Sequence, residues 1–222
     1  MWRLNYLIQE AKWDEQLSET RSSTYTSCLT FPWARIADIA IAIGSEILRC
    51  LGSLRLDLWG ALCVARGRRY RGRLSYLAPS KNKKKKKKIK MPLLKDPVPS
   101  DWKVIEDDIV LLWASQTSHA SEGTYSSPPS TIQDGVFQIM LLRGNVGRVA
   151  MASVLLSLDS GGHATHPAVE FVECVAYRLE PLVKGSYNDL DGELIESGPI
   201  QGQVLPQALQ VFCSTPAKKD EQ

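Results

Sequence analysis

Two histidines, His163 and His166, stand three residues apart and are the sequence's nearest approach to a metal-binding pair. No further ligand stands near them at zinc spacing, and they follow a glycine turn, which favours a pair of surface histidines in a loop. The motifs Gly-x-x-x-x-Gly-Lys-Ser/Thr, Gly-x-Gly-x-x-Gly and Gly-x-Ser-x-Gly do not occur in the 222 residues. We therefore assign no metal to the histidines and find no complete phosphate cradle.

A lysine-rich segment over residues 81–90 could bind phosphates, because clustered lysines release counterions from nucleic acid or anionic lipid. No aromatic side chain is interleaved with the lysines, so the stacking that single-strand recognition needs is missing and nucleic acid is disfavoured. The alternative is a solvated spacer, since charge blocks commonly form no regular structure. Eight of the 27 Lys and Arg residues lie here, which leaves 19 against 24 acidic residues and makes the rest of the chain acidic.

Composition narrows the class of protein. With 44% hydrophobic and 23% charged residues, the chain is neither collagen-like, wholly disordered nor a disulfide scaffold. Five cysteines, an odd number without Cys-x-x-Cys, indicate reduced thiols and a cytoplasmic location. Acidic residues from Glu10 onward argue against a signal peptide, and the apolar stretch 36–43 is far shorter than the roughly 20 residues of a membrane span. Any membrane contact is expected to be peripheral.

The first half of the chain predicts a strand followed by a long helix. Residues 1–28 read as a weak helix and loop without an assigned role, and residues 29–44 alternate like a strand. From Ser45 to Gly67, leucines recur three or four residues apart, which predicts an amphipathic helix whose leucine stripe packs in the core.

The remaining elements are mostly short strands, which favours a mainly β, α+β fold with an antiparallel β-sandwich. Residues 29–213 are predicted to form this domain, with a disordered Lys-rich loop over 80–92 and a disordered tail over 214–222. Asp191-Gly192 is a strong hairpin signal. Further strands are predicted at 74–77, 103–106, 108–115, 136–142, 169–179, 187–195 and 208–213, and a helix capped by Asn145 runs to Leu158.

Several segments in one order resemble the C-terminal part of the sphingosine kinases, over about residues 27–213. They are Ile36-Ala-Asp38, Ser45-Glu-x-x-Arg49-x-x-Gly-x-x-Arg55, Tyr70-Arg-Gly-Arg-Leu-Ser-Tyr-Leu77, Pro92-Leu, Pro97-Val-Pro-Ser-Asp-Trp102, Val175-Ala-Tyr-Arg-Leu-Glu-Pro181, Asp191-Gly-Glu193 and Gln201-Gly-Gln-Val204.

The resemblance implies a two-domain family fold, in which an N-terminal α/β domain holds ATP and a C-terminal β-sandwich holds the lipid. The family reaction transfers the γ-phosphoryl of MgATP to the primary hydroxyl of sphingosine. Its general base is an aspartate in a Ser-Gly-Asp-Gly segment of the N-terminal domain, and this chain has no such segment. The chain therefore resembles the second domain without the first, and we expect no activity from it alone.

For the nucleotide, the resemblance implies that Arg49 and Arg55 contact ATP phosphates, a role in which cations offset charge on the phosphoryl oxygens. It also implies that Asp191 and Glu193 close on the nucleotide and its Mg²⁺. From the residues alone, the arginines could instead face solvent and pair with acidic neighbours, Glu46 or Asp57. From the residues alone the Asp-Gly pair favours a hairpin turn, and one turn can serve both roles.

For the lipid, the resemblance implies headgroup contacts from Asp38 and Thr30 and tail contacts from His163, Leu56 and Leu155. In the family a second aspartate, two residues after Asp38, holds the amino-alcohol headgroup of the lipid. This chain has Ala40 in that place, and two residues are inserted between Asp38 and Glu46. Asp38 is expected to substitute only if a displacement of two residues along a strand keeps its side chain on the same face.

These features predict a sphingosine kinase-like protein that uses ATP and Mg²⁺, binds a sphingoid lipid and contacts an anionic membrane surface from the cytoplasm. Two alternatives remain: a non-catalytic lipid-binding or membrane-binding module, and a relative that phosphorylates ceramide or diacylglycerol. The change to Ala40 weakens the case for an amine substrate in particular. A homodimer is left open.

Overall fold

The computed structural model of the chain describes residues 2–12, 22–44, 50, 52, 54–80 and 89–211. In these ranges the protein is mainly β, with eleven strands in one antiparallel sheet and three α-helices, which confirms the predicted fold class. The helices are α1 (Arg35–Gly44), α2 (Leu54–Arg66) and α3 (Arg148–Leu156). The strands are β1 (Trp2–Lys12), β2 (Ser22–Ser27), β3 (Thr30–Ala34), β4 (Tyr70–Leu77), β5 (Lys103–Ser115), β6 (Phe137–Arg143), β7 (Glu170–Cys174), β8 (Ala176–Pro181), β9 (Asn188–Leu190), β10 (Glu193–Ile195) and β11 (Ile200–Val211).

The sheet branches at β5, which is one strand where the sequence predicts two. Residues 103–109 of β5 pair with β4, and residues 111–115 pair with both β3 and β6. The main path runs β10-β9-β3-β5-β4-β8-β11-β1-β2, while β6 and β7 extend from β5. This order places β3 between β5 and the β9–β10 hairpin, where the candidate site lies.

Two clusters of buried apolar side chains lie on opposite faces of β5, because successive strand residues alternate between faces. Leu112 belongs to the first cluster, with Trp33 and Tyr177. Trp113 belongs to the second cluster, with Met151 of α3.

The segment predicted as a strand over 29–44 is divided between β3 and α1, so the prediction is wrong from residue 35 onward. Ala34, with a φ of 62°, makes a left-handed turn between the two elements. The isoleucines of this segment fit two periods. Ile39 and Ile43 stand an even number of residues apart, as on one face of a strand, but with Ile36 they also stand three and four residues apart, as on one face of a helix. Ile36 is buried in the second cluster, and this packing favours the helix.

Residues 2–12, predicted as a weak helix, form β1, which pairs antiparallel with β11 and β2. The partner β11 begins at Ile200, earlier than the predicted start at residue 208. Both errors have one cause, because β1 and β11 pair with each other from opposite ends of the chain and no local pattern reports that pairing.

The predicted core packing of the leucine stripe on α2 is wrong for the leucines that the structure describes. Leu54, Leu58 and Leu62 are 60%, 56% and 41% exposed. The helix faces α1 with other residues, since Cys63 is buried and the Trp59 indole N–H donates to the Asp38 carbonyl oxygen at 2.8 Å.

The third helix begins later than predicted. Its N-cap is Gly147, with no side-chain capping bond, instead of Asn145. The Asn145 side chain is used elsewhere, since its Oδ1 accepts a hydrogen bond from Arg69 Nη2 at 2.8 Å.

Residues 81–88 and 212–222, which include most of the lysine-rich segment and the predicted tail, lie outside the described residues. Cys28, Cys63 and Cys174 carry free thiols. None of the helices in the described part of the chain has the length and apolar character needed to cross a bilayer.

Candidate functional site

Asp191 and Gly192 form the two-residue turn between β9 and β10, in which Leu190 pairs with Glu193. Both turn residues have positive φ, 53° and 94°, which suits the type I′ turn that Asp-Gly favours. The predicted hairpin is confirmed.

The Asp191 carboxylate binds the turn between β2 and β3. Its Oδ1 accepts hydrogen bonds from Ser27 Oγ at 2.7 Å and from the backbone N–H groups of Leu29 at 3.2 Å and Thr30 at 2.8 Å. Its Oδ2 accepts from the Cys28 N–H at 3.1 Å, and the Asp191 N–H donates to the Thr30 carbonyl oxygen at 3.0 Å. Because four protein donors occupy the carboxylate, Asp191 does not fit the role of a direct Mg²⁺ ligand.

Of the two carboxylates predicted on the nucleotide side, Asp191 and Glu193, Glu193 is the exposed one. An open groove of about 550 Å³ lies beside the hairpin and is lined by three carboxylates, those of Asp191, Glu193 and Glu196, and by Tyr25. The described residues contain no group of three or more His, Cys, Asp or Glu side chains arranged to hold a metal.

Asp189, which precedes this turn, is only 2% exposed. Its Oδ1 accepts a hydrogen bond from the Gly192 N–H at 3.0 Å. Burial, with smaller contributions from the negative charges of Asp191 and Glu193, raises the pKa of Asp189 to about 6.

Asp38 lies on α1, and both of its carboxylate oxygens are within reach of the Tyr70 hydroxyl, which donates at 2.7 Å and 2.9 Å. Burial raises the pKa of Asp38, while the Tyr70 hydrogen bond and the nearby guanidinium groups of Arg68 and Arg35 lower it. Because burial is the largest of these effects, the ionised carboxylate is only partly compensated by its neighbours.

The helical conformation of α1 changes the relation between Asp38 and Ala40. Two residues along a helix turn by about 200°, so positions 38 and 40 point to different sides, whereas on a strand they would share a face. The condition framed for a strand therefore does not apply, and Asp38 would have to contact a protonated amine from its own position beside the Tyr70 hydroxyl, not from the direction of position 40.

The structure describes only some of the arginine and leucine side chains that the resemblance predicts as ligand contacts. Arg49 and the side chain of Leu56 lie outside the described residues. Arg55 lies in the first turn of α2, and within the described ranges no hydrogen bond or ion pair joins its guanidinium to Asp57, Asp191 or Glu193. A common phosphate target for Arg49, Arg55 and Glu193 stays a prediction.

The expectation that both histidines of the His163-x-x-His166 pair lie at the surface is wrong for His163, which is fully buried. Its Nε2 lies 3.2 Å from the Ser126 carbonyl oxygen, and its Nδ1 lies 3.4 Å from the Ser157 carbonyl oxygen. Leu155, on the neighbouring α3, is half-buried against the second cluster. A lipid tail beside these residues stays a prediction.

Sequence reasoning missed Arg178, which joins three of the segments that carry the resemblance. This buried arginine donates from Nη1 to the Asp96 carbonyl oxygen at 2.6 Å and from Nη2 to the Leu93 carbonyl oxygen at 2.8 Å. It also donates to Gln201 Oε1 at 3.0 Å, and Gln201 Nε2 donates to the Pro92 carbonyl oxygen at 2.8 Å. One buried hydrogen-bond network therefore joins these three segments. Tyr70 was also missed, although a buried tyrosine needs a partner for its hydroxyl.

Residues 97–213 match the family model of the YegS C-terminal NAD kinase beta sandwich-like domain, over more than half of the chain. The chain belongs to this family. It is 34% identical to sphingosine kinase 1 of Homo sapiens over 194 residues, which cover 81% of this chain and 50% of that protein. With sphingosine kinase 2 of Arabidopsis thaliana it shares 27% identity over 199 residues, 80% of this chain and 41% of that protein.

The similarity to sphingosine kinases inferred from the motifs is thus confirmed, and the chain spans about half the length of the curated relatives it matches. Two solved structures of Bacillus anthracis proteins assigned as diacylglycerol kinases share the fold. Their TM-scores are 0.53 and 0.51, each covering 93% of this chain and 55% of the other, at 13% and 12% identity.

Proposed function

We propose that this chain is the lipid-holding part of a sphingosine kinase-like enzyme, whose reaction transfers the γ-phosphoryl of ATP to the primary hydroxyl of a sphingoid base. The observation that carries the proposal is the 34% identity with human sphingosine kinase 1 across 81% of the chain. We take residues 29–213 as the lipid-kinase sandwich, to which the pairing of β1 with β11 adds the N-terminal segment.

On the nucleotide side, Arg49 and Arg55 would contact the phosphates, because phosphoryl transfer depends on cations that offset charge at the oxygens. Glu193 is the exposed carboxylate beside the groove and is suited to face the hydrated Mg²⁺ of MgATP, which keeps several waters in protein sites. Asp191 supports it indirectly, by fixing the hairpin on which Glu193 stands.

On the lipid side, Asp38 is the proposed anionic contact for the protonated amine of a sphingoid base. Burial raises the pKa of Asp38 despite the nearby arginines, so an added cation would stabilise its ionised form. Thr30, His163, Leu56 and Leu155 remain the other proposed lipid contacts.

Turnover by the chain tests the nucleotide side. The general-base segment Ser-Gly-Asp-Gly does not occur in these 222 residues, so incubation of the purified chain with MgATP and sphingosine should give no product above the blank. Measurable turnover that Arg55→Ala abolishes would contradict the expectation that these 222 residues cannot catalyse the reaction without the general-base segment.

Competition among lipids tests the substrate class. Sphingosine should displace a fluorescent sphingosine analogue from the chain, and ceramide and diacylglycerol should do so less well, because neither carries an amine that is protonated at neutral pH. Equal displacement by diacylglycerol would instead favour a diacylglycerol kinase-like protein.

The exposed leucine stripe of α2 supports a second candidate, a membrane-binding module that works from the cytoplasmic surface with or without catalysis. Leu54, Leu58 and Leu62 present apolar area to solvent on one helix face, and the lysine-rich segment would add attraction to anionic lipid, about 1 kcal/mol per lysine near the surface. The double variant Leu58→Gln, Leu62→Gln should reduce pelleting with anionic vesicles.

Leu182→Gln, also at an exposed leucine, is the control and should not reduce pelleting. Pelleting that does not depend on salt or on the anionic lipid content would contradict membrane binding by this surface.

A further inference from the structure

A cavity of about 190 Å³ lies between the C-terminal end of α2 and the N-terminal end of α3, away from the β9–β10 hairpin. Three arginines line it: Arg35, Arg69 and Arg148. The other lining residues are apolar or glycine, among them Val110 and Gly147, so no carboxylate faces these three cations across the cavity.

Arg35 is 2% exposed, and its guanidinium is held in place by the carbonyl oxygens of Cys63 and Arg68, to which Nη1 and Nη2 donate. Its Nε is buried without a hydrogen-bond partner among the described residues. Burial is also the main cause that lowers the pKa of Arg35. A buried cation with an unused donor beside a cavity is costly unless an anion compensates it.

Arg69 and Arg148 reach the same cavity and, within the described part of the chain, neither forms an ion pair. Arg69 instead donates to the neutral amide of Asn145 at 2.8 Å. By contrast, the sheet arginines Arg71, Arg73 and Arg143 all pair with carboxylates, such as Glu106 and Glu170. Arg35 lies near enough to Asp38 for their charges to interact, but no ion pair joins them. Among the described residues, the arginines at the cavity therefore differ from those of the sheet in having no carboxylate at ion-pair distance.

The N-terminus of α3 adds donors to the same place. Gly147 is its N-cap and lines the cavity, its cap has no side-chain hydrogen bond, and the first turn holds no acidic residue. The first N–H groups of a helix lack partners within the helix and carry partial positive charge, which favours an anion opposite them.

We propose that this cavity is a binding site for a tetrahedral phosphate-type anion, either inorganic phosphate or the phosphate monoester of a lipid headgroup. Guanidinium forks suit phosphate oxygens geometrically. A cavity of about 190 Å³ has room for one tetrahedral oxyanion with a few waters. The site is independent of the proposed kinase function.

Calorimetric titration of the whole 222-residue chain with inorganic phosphate, with chloride balancing the ionic strength, tests the proposal. Arg148→Gln and Arg69→Gln, at exposed positions, should each weaken phosphate binding by about tenfold, the typical effect of removing one charge-assisted hydrogen bond. Arg66→Gln, at the same end of α2 but with its guanidinium over the Trp59 ring and outside the cavity lining, should change it less than about twofold, since an exposed charge that does not contact the ligand is screened by solvent and salt. Absence of saturable binding, or an equal loss in all three variants, would overturn the site.

Vesicles distinguish the two sources of the anion. Phosphatidylcholine vesicles that contain phosphatidic acid are compared with vesicles that contain phosphatidylserine at the same surface charge. A preference for phosphatidic acid that Arg148→Gln removes supports a lipid monoester as the ligand. Equal binding to both vesicles, together with the phosphate titration, supports the free ion.

Discussion

Asp191 connects two turns that are far apart in the chain, because its carboxylate accepts all its hydrogen bonds from residues 27–30. We expect Asp191→Asn to lower the free energy of unfolding by about 2 kcal/mol, since an amide N–H would face the Cys28 N–H in place of Oδ2. Asparagine tolerates the positive φ of this position, so backbone strain does not confuse the result.

Urea unfolding measures this loss, and Glu193→Gln is the matched control two residues away. The exposed Glu193 should change stability by less than about 0.5 kcal/mol, as surface substitutions usually do. Equal midpoints for Asp191→Asn and the unchanged chain would show that the hydrogen bonds between Asp191 and residues 27–30 do not stabilise the fold.

Asp189 makes stability depend on pH. Its pKa of about 6 in the folded chain exceeds the usual value near 3.9, so the folded state binds the proton more tightly and loses stability as pH rises from about 4 through 6. Asp189→Asn keeps an oxygen for the Gly192 N–H and removes the charge. The variant should be more stable than the unchanged chain by on the order of 2 kcal/mol at pH 7, with the difference vanishing below about pH 4.

Urea unfolding at a series of pH values separates these outcomes. Parallel curves for the two proteins between pH 4 and pH 7 would contradict the role given to Asp189.

At the scale of single elements, the side chains of Trp33 in β3 and Ile109 in β5 pack against the β4 backbone at Gly72, which leaves no room there for a side chain. A Cβ there would lie 2.9 Å from Trp33 Cη2 and 3.3 Å from Ile109 Cδ1, and both side chains are fully buried. Gly72→Ala should therefore lower the free energy of unfolding by about 1–3 kcal/mol.

Gly60→Ala is the control, because Gly60 lies within α2 and a Cβ there would meet only Ile39 Cδ1, at 4.0 Å. Alanine should raise stability by up to about 1 kcal/mol there through helix propensity. Thermal unfolding of both variants gives the comparison; a shift of the same sign in the two would remove the packing argument at Gly72.

An element could be predicted from the sequence when the residues that determine it lie within the element or next to it in the chain. The hairpin at Asp191-Gly192 and the strand β6 were predicted because turn chemistry and a buried apolar run are local signals. The helix α1 was missed because its isoleucines fit both a strand and a helix, and packing against β5 decides between them. For β1, the decisive interaction is pairing with the distant β11.

The candidate site shows the same division. Asp38, Asp191 and Glu193 were found from short motifs. The hydrogen-bond partners of the two aspartates, Tyr70 and Ser27, come from other parts of the chain, and no pattern in the sequence pairs them with those aspartates. Asp191 reaches residues 27–30 because β3 and β9 are adjacent in the sheet, and no sequence pattern reports that adjacency.

For the whole molecule, the central claim is that this fold holds a sphingoid base and that Asp38 contacts its protonated amine. The most direct test is equilibrium binding of sphingosine to the unchanged chain, to Asp38→Asn and to Asp57→Asn, a matched change at an exposed aspartate of α2. We predict saturable binding that weakens about tenfold in Asp38→Asn, as expected for loss of one charged hydrogen bond, and stays unchanged in Asp57→Asn. No saturable binding, or an equal effect of the two substitutions, would contradict it.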